Sequence, residues 1–253
     1  MTAQRSLLRT PARREVLGTT VHAVSLAEAL EWVGQAVATR NGGYVVTLNG
    51  AMLVQTASDP ALREVVNGAG LVTADGIGVI LAARIVGVDV VQRVAGVDLA
   101  EAVCARAASA GYRLYLLGGA QGVAAATGEA LQMRFTGIHI VGLHHGFYLP
   151  EDEARIIDDI KRARPDVLLV AFGAPRQEQW MRRWRRELDV PVAIGVGGSF
   201  DVLAGRTPRA PRWMRRLGLE WLFRALREPR RWGVVRTIPP LFLLALRERW
   251  RKA

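Results

Sequence analysis

The residue of this sequence best placed to do chemistry is Asp75. In "TADGIGV" it follows an apolar stretch and precedes two glycines, Gly76 and Gly78, a pattern typical of a turn from a strand into a helix. A carboxylate at such a turn has two interpretations. It is either the capping side chain of the helix or a general base beside a bound phosphate compound. Spacing alone favours neither.

Four further stretches place small or polar residues where apolar runs end: "TLNGA", "LHHGF", "FGAPRQEQW" and "GVGGSFDVLAG". Glycine lets a phosphate approach the backbone, and helix N-termini present N–H groups and a positive dipole end to it. With the Asp75 turn, these stretches predict a nucleotide or sugar-phosphate site. Its candidate residues, besides Asp75, are Thr47, Asn49, Gly76, Gly146, Phe147, Gly173, Gln177, Gly198 and Asp201. Glu178 is a further acid in these turns, and we interpret it as a first-turn helix acid stabilised by the dipole.

The elements that position these turns alternate between apolar β-type runs and helical patterns, which is typical of a mostly parallel sheet covered by helices. Predicted strands span 44–49, 70–74, 113–118, 139–143, 166–172 and 191–197. Predicted helices lie near 25–39, 59–67, 76–86, 98–110, 121–134, 151–163 and 175–187. We therefore predict an α/β, Rossmann-like body with helices on both faces, whose ligands bind beyond the carboxyl ends of the strands.

A dinucleotide-dependent oxidoreductase is the obvious rival, because "LLGGAQG" resembles a glycine-rich phosphate turn. Its glycines, at 118, 119 and 122, break the G-x-G-x-x-G spacing, and the next strand ends in His144 and His145 rather than a ribose-binding acid. The sequence also has no Asp-x-Asp pair to hold a divalent cation against a diphosphate. We expect neither a metal nor another cofactor.

The charge of the chain is concentrated at its end. Of 34 Lys+Arg and 23 Asp+Glu, fourteen and three fall in residues 206–253, so this tail carries the whole net charge of +11 and residues 1–205 are neutral. Such a field attracts a polyanion: nucleic acid, an anionic membrane surface or a phosphate-rich ligand. Composition alone does not distinguish them.

On a helical wheel of the segment from 212 to 227, one apolar stripe lies opposite several arginines. The stripe contains Met214, Leu217, Trp221, Leu222 and Ala225. This pattern predicts a cationic amphipathic helix, of the kind that lies on anionic lipid. Packing of the stripe on the body, nucleic-acid binding and a diphosphate clamp remain alternatives. The aromatic residues follow the apolar arc instead of interleaving with the basic ones, which favours lipid over nucleic acid.

The segmentation follows from these patterns. We expect a flexible N-terminus over 1–14, a Rossmann-like body over 15–205 and a membrane-associating appendage over 206–253. The start of the chain has no apolar run typical of a secretory signal, and "PPLFLLAL" is too short to cross a bilayer. The single cysteine, Cys104, is expected in the core. A cytoplasmic protein, peripheral on the inner face of the cell membrane, is the expectation.

The motifs resemble the WecG/TagA/CpsF family of bacterial glycosyltransferases. The matching stretches are "TLN", "TADGIGV", "QRVAGVDL", "GFY", "PDVLLVAFGAPRQEQW" and "GVGGSFDVLAGRTPRAPRWMRRLGLEWLFRALREPRR". The resemblance runs from about residue 15 to residue 232, and the last two stretches are long enough to be specific. It implies transfer of a sugar from a UDP-sugar to a polyprenyl-diphosphate-linked saccharide at the cytoplasmic face of the membrane, with inversion and no required metal.

The resemblance also implies roles for individual residues. Asp75 would be the base, with Thr47, Asn49, Arg93 and Gln177 around the reacting sugars. Phe147 replaces a tyrosine common in the family's "GY" turn, and Asp201 would face the UDP. From "EWLFR" and "EPRR", Arg224 and Arg231 are the arginines we expect to face the leaving diphosphate.

One base suffices for an inverting transfer, whereas glycosidases use a pair of carboxylates. The sequence does not name the donor sugar, which would be N-acetylmannosamine, its uronic acid or a hexose. It also leaves a homo-oligomer open. The non-enzymatic alternative is a nucleotide-binding peripheral membrane module, which would have no need of Asp75.

Overall fold

A six-stranded sheet, in which every strand pairing is parallel, forms the centre of the protein. The structure is a computed structural model that describes residues 11–227 and 232–252. A two-stranded antiparallel hairpin, β1 and β2, precedes the sheet. The strands are β1 Arg13–Val16, β2 Thr19–His22, β3 Gly43–Leu48, β4 Leu71–Ala74, β5 Arg113–Gly118, β6 His139–His144, β7 Val167–Ala171 and β8 Val192–Gly195.

Helices cover both faces of the sheet. They are α1 Leu26–Thr39, α2 Gly50–Ser58, α3 Pro60–Asn67, α4 Ile77–Ile85, α5 Gly96–Ala110, α6 Val123–Arg134, α7 Glu153–Ala163, α8 Arg176–Leu188, α9 Ser199–Leu203, α10 Arg212–Arg216, α11 Glu220–Arg227, α12 Trp232–Val235 and α13 Ile238–Lys252. Helices α2, α3, α4, α7, α8 and α13 share one core with one face of the sheet, and α1, α5, α6 and α9 share the other. The strand order is β4-β3-β8-β7-β5-β6.

The predicted α/β class, the six core strands and the seven body helices are confirmed. The cap signals explain the accuracy: Ser25 and Glu28 form a reciprocal capping box at α1, and Asp59 caps α3 ahead of Pro60. Strand β7 is buried at all five positions, as expected for a central parallel strand. Cys104 is buried in α5, as predicted.

The β1–β2 hairpin, which the sequence analysis missed, covers the outer edge of the sheet at β4. Its turn residues Leu17 and Gly18 both have positive φ, +53° and +74°, which suits a two-residue hairpin turn. The imidazole of His22 accepts a hydrogen bond from the Val72 N–H of β4 at 2.9 Å. The predicted flexible segment 1–14 was therefore too long, because β1 already begins at Arg13; residues 1–10 lie outside the described part of the chain.

The described part of the tail is largely helical, as predicted, but the prediction of one continuous amphipathic helix over 212–227 is wrong. Gly218, at φ +72°, interrupts the segment and separates α10 from α11, because a glycine in this conformation ends a helix. The interruption breaks the predicted stripe. Met214 and Ala225 are buried, whereas Leu217 is 63% exposed.

Helix α13 packs on the body beside the starts of α2 and α4. The Leu241 side chain lies 3.1 and 3.2 Å from the positions where a Cβ would stand on Gly50 and Gly78. The two glycines form a notch that a larger side chain would fill. Within residues 11–227 and 232–252, no helix combines the length and the apolar character needed to span a membrane.

Candidate active site

The carboxyl edge of the sheet contains a crevice between β3 and β8. Strand β3 continues into α2 on one face, and its neighbour β8 continues into α9 on the other. Open α/β sheets bind ligands where the connections that follow two neighbouring strands go to opposite faces of the sheet. Thr47 bridges the two strands, because its hydroxyl donates to the Gly195 carbonyl at 2.9 Å.

Asp75 follows β4, on the other side of β3, and its side chain does not cap α4. The N-cap residue of that helix is Gly76, at φ +100°, and no side chain bonds to the helix start. The capping interpretation of Asp75 is therefore wrong. The backbone N–H of Asp75 donates to the Leu48 carbonyl at 2.7 Å, which fixes the turn against β3.

The Asp75 carboxylate faces the first turn of α5. Its Oδ2 lies 3.4 Å from the position of a Cβ on Gly96, and the Thr47 Oγ1 lies 3.1 Å from the same point. The missing side chain at Gly96 thus lets both the hydroxyl and the carboxylate approach the start of α5 closely. The Gly96 N–H donates to the carboxylate, as the unpaired N–H groups of a helix start are free to do.

The surroundings of Asp75 adjust its basicity. Burial raises its pKa to about 6, with Glu220 and Asp98 adding to the rise, while the Gly96 N–H and Arg93 oppose it. A carboxylate with this pKa is mainly ionised at neutral pH and holds a proton more strongly than an ordinary aspartate. Both properties suit a general base.

Four charged side chains form a network beside Asp75, and two of them come from the tail. The Glu220 carboxylate lies 3.6 Å from Nη1 of Arg93 and 3.6 Å from Nε of Arg209. Arg209 also pairs with Asp98, in the first turn of α5, at 2.7 Å. All four side chains are at most 29% exposed. Two tail residues, Arg209 and Glu220, therefore lie beside Asp75, whereas the sequence predicted only Arg224 and Arg231 of the tail at the site.

Gln177 and Glu178 lie in the first turn of α8, on the inner side of the β8 turn. The Gln177 side chain accepts from the Gly197 N–H at 3.0 Å and donates to Glu178 at 2.7 Å. Gly195 makes room for it, because a Cβ there would stand 2.8 Å from the Gln177 nitrogen. Glu178 is fully buried, and burial raises its pKa to about 7. It is a first-turn acid as predicted, but a buried one.

Comparison with known proteins assigns the chain to a family. The family model described as "Glycosyl transferase WecG/TagA/CpsF family" matches residues 14–253. This chain belongs to that family. A relative from Bacillus spizizenii is 34% identical over 198 residues, covering 78% of this chain and 76% of the relative. One from Staphylococcus aureus is 31% identical over 245 residues, covering 95% and 94%. Both are named N-acetylglucosaminyldiphosphoundecaprenol N-acetyl-beta-D-mannosaminyltransferase.

The glycosyltransferase brings part of its predicted site together. Thr47, Asp75 and Arg93 lie around the start of α5, and Gly76 follows Asp75 as the N-cap residue of α4. Gln177 contacts the β8 turn at Gly197, close to the Gly195 carbonyl that accepts from Thr47. Asn49 comes two residues after Thr47 at the start of α2, where its side chain caps the helix by accepting from the Met52 N–H at 3.0 Å. Beyond β8, Gly198 is the N-cap residue of α9 and Asp201 lies in the first turn of that helix.

Other predicted residues lie farther along the edge of the sheet. Gly146 and Phe147 follow β6, four strands from β3, which is about 19 Å at the usual spacing of strands. The Phe147 ring is 75% exposed. Gly173, at φ +79° with open space around it, follows β7, two strands from β3. A substrate bound at the crevice would contact these residues only by extending along the edge of the sheet.

Of the two tail arginines predicted at the site, one lies among the described residues and the other does not. Arg224 lies in α11, one turn after Glu220, and Arg231 falls outside the described residues. Gly96, Arg209 and Glu220 were not among the predicted site residues. The only signal for Glu220 was an acid among many arginines, and neither its spacing nor its neighbours pointed to Arg93.

Proposed function

We propose that this glycosyltransferase moves a sugar from a UDP-sugar to a saccharide carried on a polyprenyl diphosphate, with inversion and without a metal ion. The sugar is N-acetylmannosamine, its uronic acid or a hexose, and the product serves cell-wall or exopolysaccharide biosynthesis. The names of the relatives support the acceptor class and make N-acetylmannosamine the first donor to test.

The environment of Asp75 is the observation that carries the proposal. In the reaction, the Asp75 carboxylate takes the proton of the acceptor hydroxyl while the hydroxyl oxygen attacks the anomeric carbon. The bond from that carbon to the UDP oxygen breaks, and UDP leaves with the electron pair. One base and one displacement invert the configuration. A carboxylate of raised pKa beside a hydroxyl and a helix start fits this step.

The leaving diphosphate needs positive charge, and the site offers it from the body and from the tail. Arg93 lies beside Asp75, while Arg209 and Arg224 belong to the tail. Arg231 is included on the sequence motif alone. Arginines aimed at the departing diphosphate stabilise charge as it develops in the transition state. They take the part that a divalent cation plays in other sugar transfers.

We further propose that the tail rests on the inner face of the membrane, where a polyprenyl-linked acceptor is anchored. Helix α13 carries exposed apolar residues, Leu243 at 60% and Trp250 at 75%. Its last turn holds Arg249, Arg251 and Lys252. An apolar face flanked by basic residues favours the surface of an anionic bilayer.

The decisive test is UDP release from a panel of UDP-sugars, with a short water-soluble acceptor carrying a lipid-type diphosphate. We expect turnover with at least one donor, retained in EDTA, and an inverted anomeric configuration in the product. Release that requires both donor and acceptor separates transfer from hydrolysis. A protein that binds UDP without turnover would support the non-catalytic membrane module, and tighter binding of NAD than of UDP would support an oxidoreductase.

The membrane proposal is tested by sedimentation with phosphatidylglycerol vesicles. Replacing Leu243 and Trp250 together by serine should weaken binding about tenfold or more, because both buried apolar area and charge contribute to it. Met133→Ser is the matched control, since Met133 is 83% exposed on α6. Equal loss in both variants, or none in the first, would remove α13 as the membrane surface, and preference for RNA at matched salt would favour nucleic acid.

A further inference from the structure

The acid at the start of α11, Glu220, is an unusual residue for its surroundings. The tail contains fourteen basic residues and three acids, yet the Glu220 side chain is only 15% exposed. Each of its two carboxylate oxygens lies 3.6 Å from a different arginine, Arg93 or Arg209. Enclosing a charge in this way is favourable only where partners compensate for the lost hydration. The two arginines provide that compensation.

The two ion pairs connect the tail with the elements around Asp75. Arg93 belongs to the loop between α4 and α5, just before Gly96. Arg209 precedes α10 and reaches Asp98 in the first turn of α5 at 2.7 Å. Glu220 therefore joins α11 to the same helix start whose Gly96 N–H donates to the Asp75 carboxylate.

An independent packing contact holds the start of α11 at this place. A Cβ on Gly218 would stand 2.8 Å from the Cβ of Ile77, so the turn between α10 and α11 lies directly on the first turn of α4. Ile77 comes two residues after Asp75. The ion pairs hold the tail to Arg93 and α5, and the contact with Ile77 holds it to α4. Both parts of the body lie beside the proposed base.

We propose that Glu220 is a positioning residue that fastens α11 onto the Asp75 site and holds Arg93 in place there. The proposal rests on the proposed function, because it assigns Arg93 a task in the transfer. Arg224 is four residues after Glu220, on the same side of α11. Fastening α11 at Glu220 thus also fixes where Arg224 is presented.

The experiment compares Glu220→Gln with Glu248→Gln in the full-length protein. Both variants remove one tail acid and keep its shape. Glu248 pairs with Lys252 one turn later in α13, at 2.5 Å, so it controls for the loss of charge alone. The measurements are kcat and KM on the water-soluble acceptor, their pH profile, and hydrogen exchange of residues 212–227.

In Glu220→Gln we expect kcat to fall roughly 10- to 100-fold, the loss typical of a misplaced catalytic group, with a smaller change in KM. The acid limb of the pH profile should move to lower pH, because a negative charge that raises the pKa of Asp75 is removed. Arg93, Asp98 and the Gly96 N–H, which also act on the pKa of Asp75, are not themselves substituted in either variant. Exchange over 212–227 should rise, Glu220→Asp should recover part of the activity, and Glu248→Gln should behave as wild type.

A loss of kcat with an unmoved acid limb would reduce Glu220 to a structural residue and overturn the proposal. So would unchanged activity, unchanged exchange, or the same effects in Glu248→Gln. Failure of the proposed function is distinguishable, because the wild type would then release no UDP with any donor and acceptor. In that event, hydrogen exchange and an NMR titration of the Asp75 carboxyl, with Asp75→Asn for assignment, still test the fastening by the same expected shifts.

Discussion

Asp75 and Glu178 make an instructive pair, because both are acids in turns at the carboxyl ends of parallel strands and burial raises the pKa of both. The values are about 6 for Asp75 and about 7 for Glu178. Their neighbours differ. Asp75 is partly exposed and has a backbone N–H, an arginine and two acids around it. Glu178 is fully enclosed behind the β8 turn, where it accepts a hydrogen bond from Gln177.

The difference shows that a raised pKa alone does not identify a catalytic base. Burial by itself produces the shift at Glu178, in a place that no acceptor hydroxyl reaches. At Asp75 the shift coincides with partial exposure, with close approach to Thr47 and Gly96, and with neighbouring charges of both signs. Exposure and the surrounding charges are what distinguish Asp75 from Glu178 as the candidate base.

The largest expected effect is that of Asp75→Asn, which should reduce turnover by about 10²- to 10⁴-fold while leaving UDP binding nearly intact. We expect no loss of stability of the folded protein. Since the pKa is raised in the folded state, stability falls as pH rises from 3.8 to about 6, so an uncharged side chain should keep or raise Tm at pH 7. Assays of UDP release and thermal unfolding check both parts. A variant retaining more than half of the activity would exclude Asp75 as the base.

A smaller loss, roughly 10- to 100-fold, is expected for Gly96→Ala, because a methyl group would enter the space between Thr47 and Asp75. Alanine suits the helix, so the fold should be retained. Gly233→Ala is the matched control, since no atom lies within 4 Å of its Cβ position. Steady-state kinetics of the two variants decide the matter; full activity in Gly96→Ala would show that the reaction does not use this space.

The pH profile should distinguish the two acids directly. In the wild type we expect kcat/KM to fall about tenfold per unit below pH 6 as Asp75 takes up its proton. Glu178→Gln should leave that limb where it is, because Glu178 contacts Gln177 and is not among the groups that shift the pKa of Asp75. If the limb moved or disappeared in this variant, Glu178 would be the titrating base.

The smallest effect is on stability. The pKa of Glu178 is raised in the folded state from 4.5 to about 7, so the folded state binds the additional proton and wild-type stability falls as pH rises through this window. Glu178→Gln removes this dependence, by up to roughly 3 kcal/mol. We therefore expect its Tm to exceed that of the wild type at pH 8 and to match it near pH 4.5. A lower Tm at pH 8 would show that the ionised carboxylate stabilises the fold.

Local patterns were enough to predict most of the body. The sheet strands are continuous apolar runs and the helices α1 and α3 start at explicit caps, signals that act within a few residues. Helix α2 was missed because its first residues follow β3 directly and its start, Asn49, was interpreted as a ligand. The β1–β2 hairpin was missed because its turn, Leu17-Gly18, lacks the usual Asn-Gly or Asp-Gly signal.

The sequence by itself determined the parallel α/β body, the turns that carry Thr47, Asp75 and Gln177, and a tail that holds the entire net charge. Only the tertiary structure decided that Asp75 does not cap α4, that Glu178 is enclosed, and that Glu220 of the tail meets Arg93. The physical reason is the range of the interactions. Caps, turns and periodicity are set by neighbouring residues, whereas burial and ion pairing between residues 93, 209 and 220 depend on how distant segments pack.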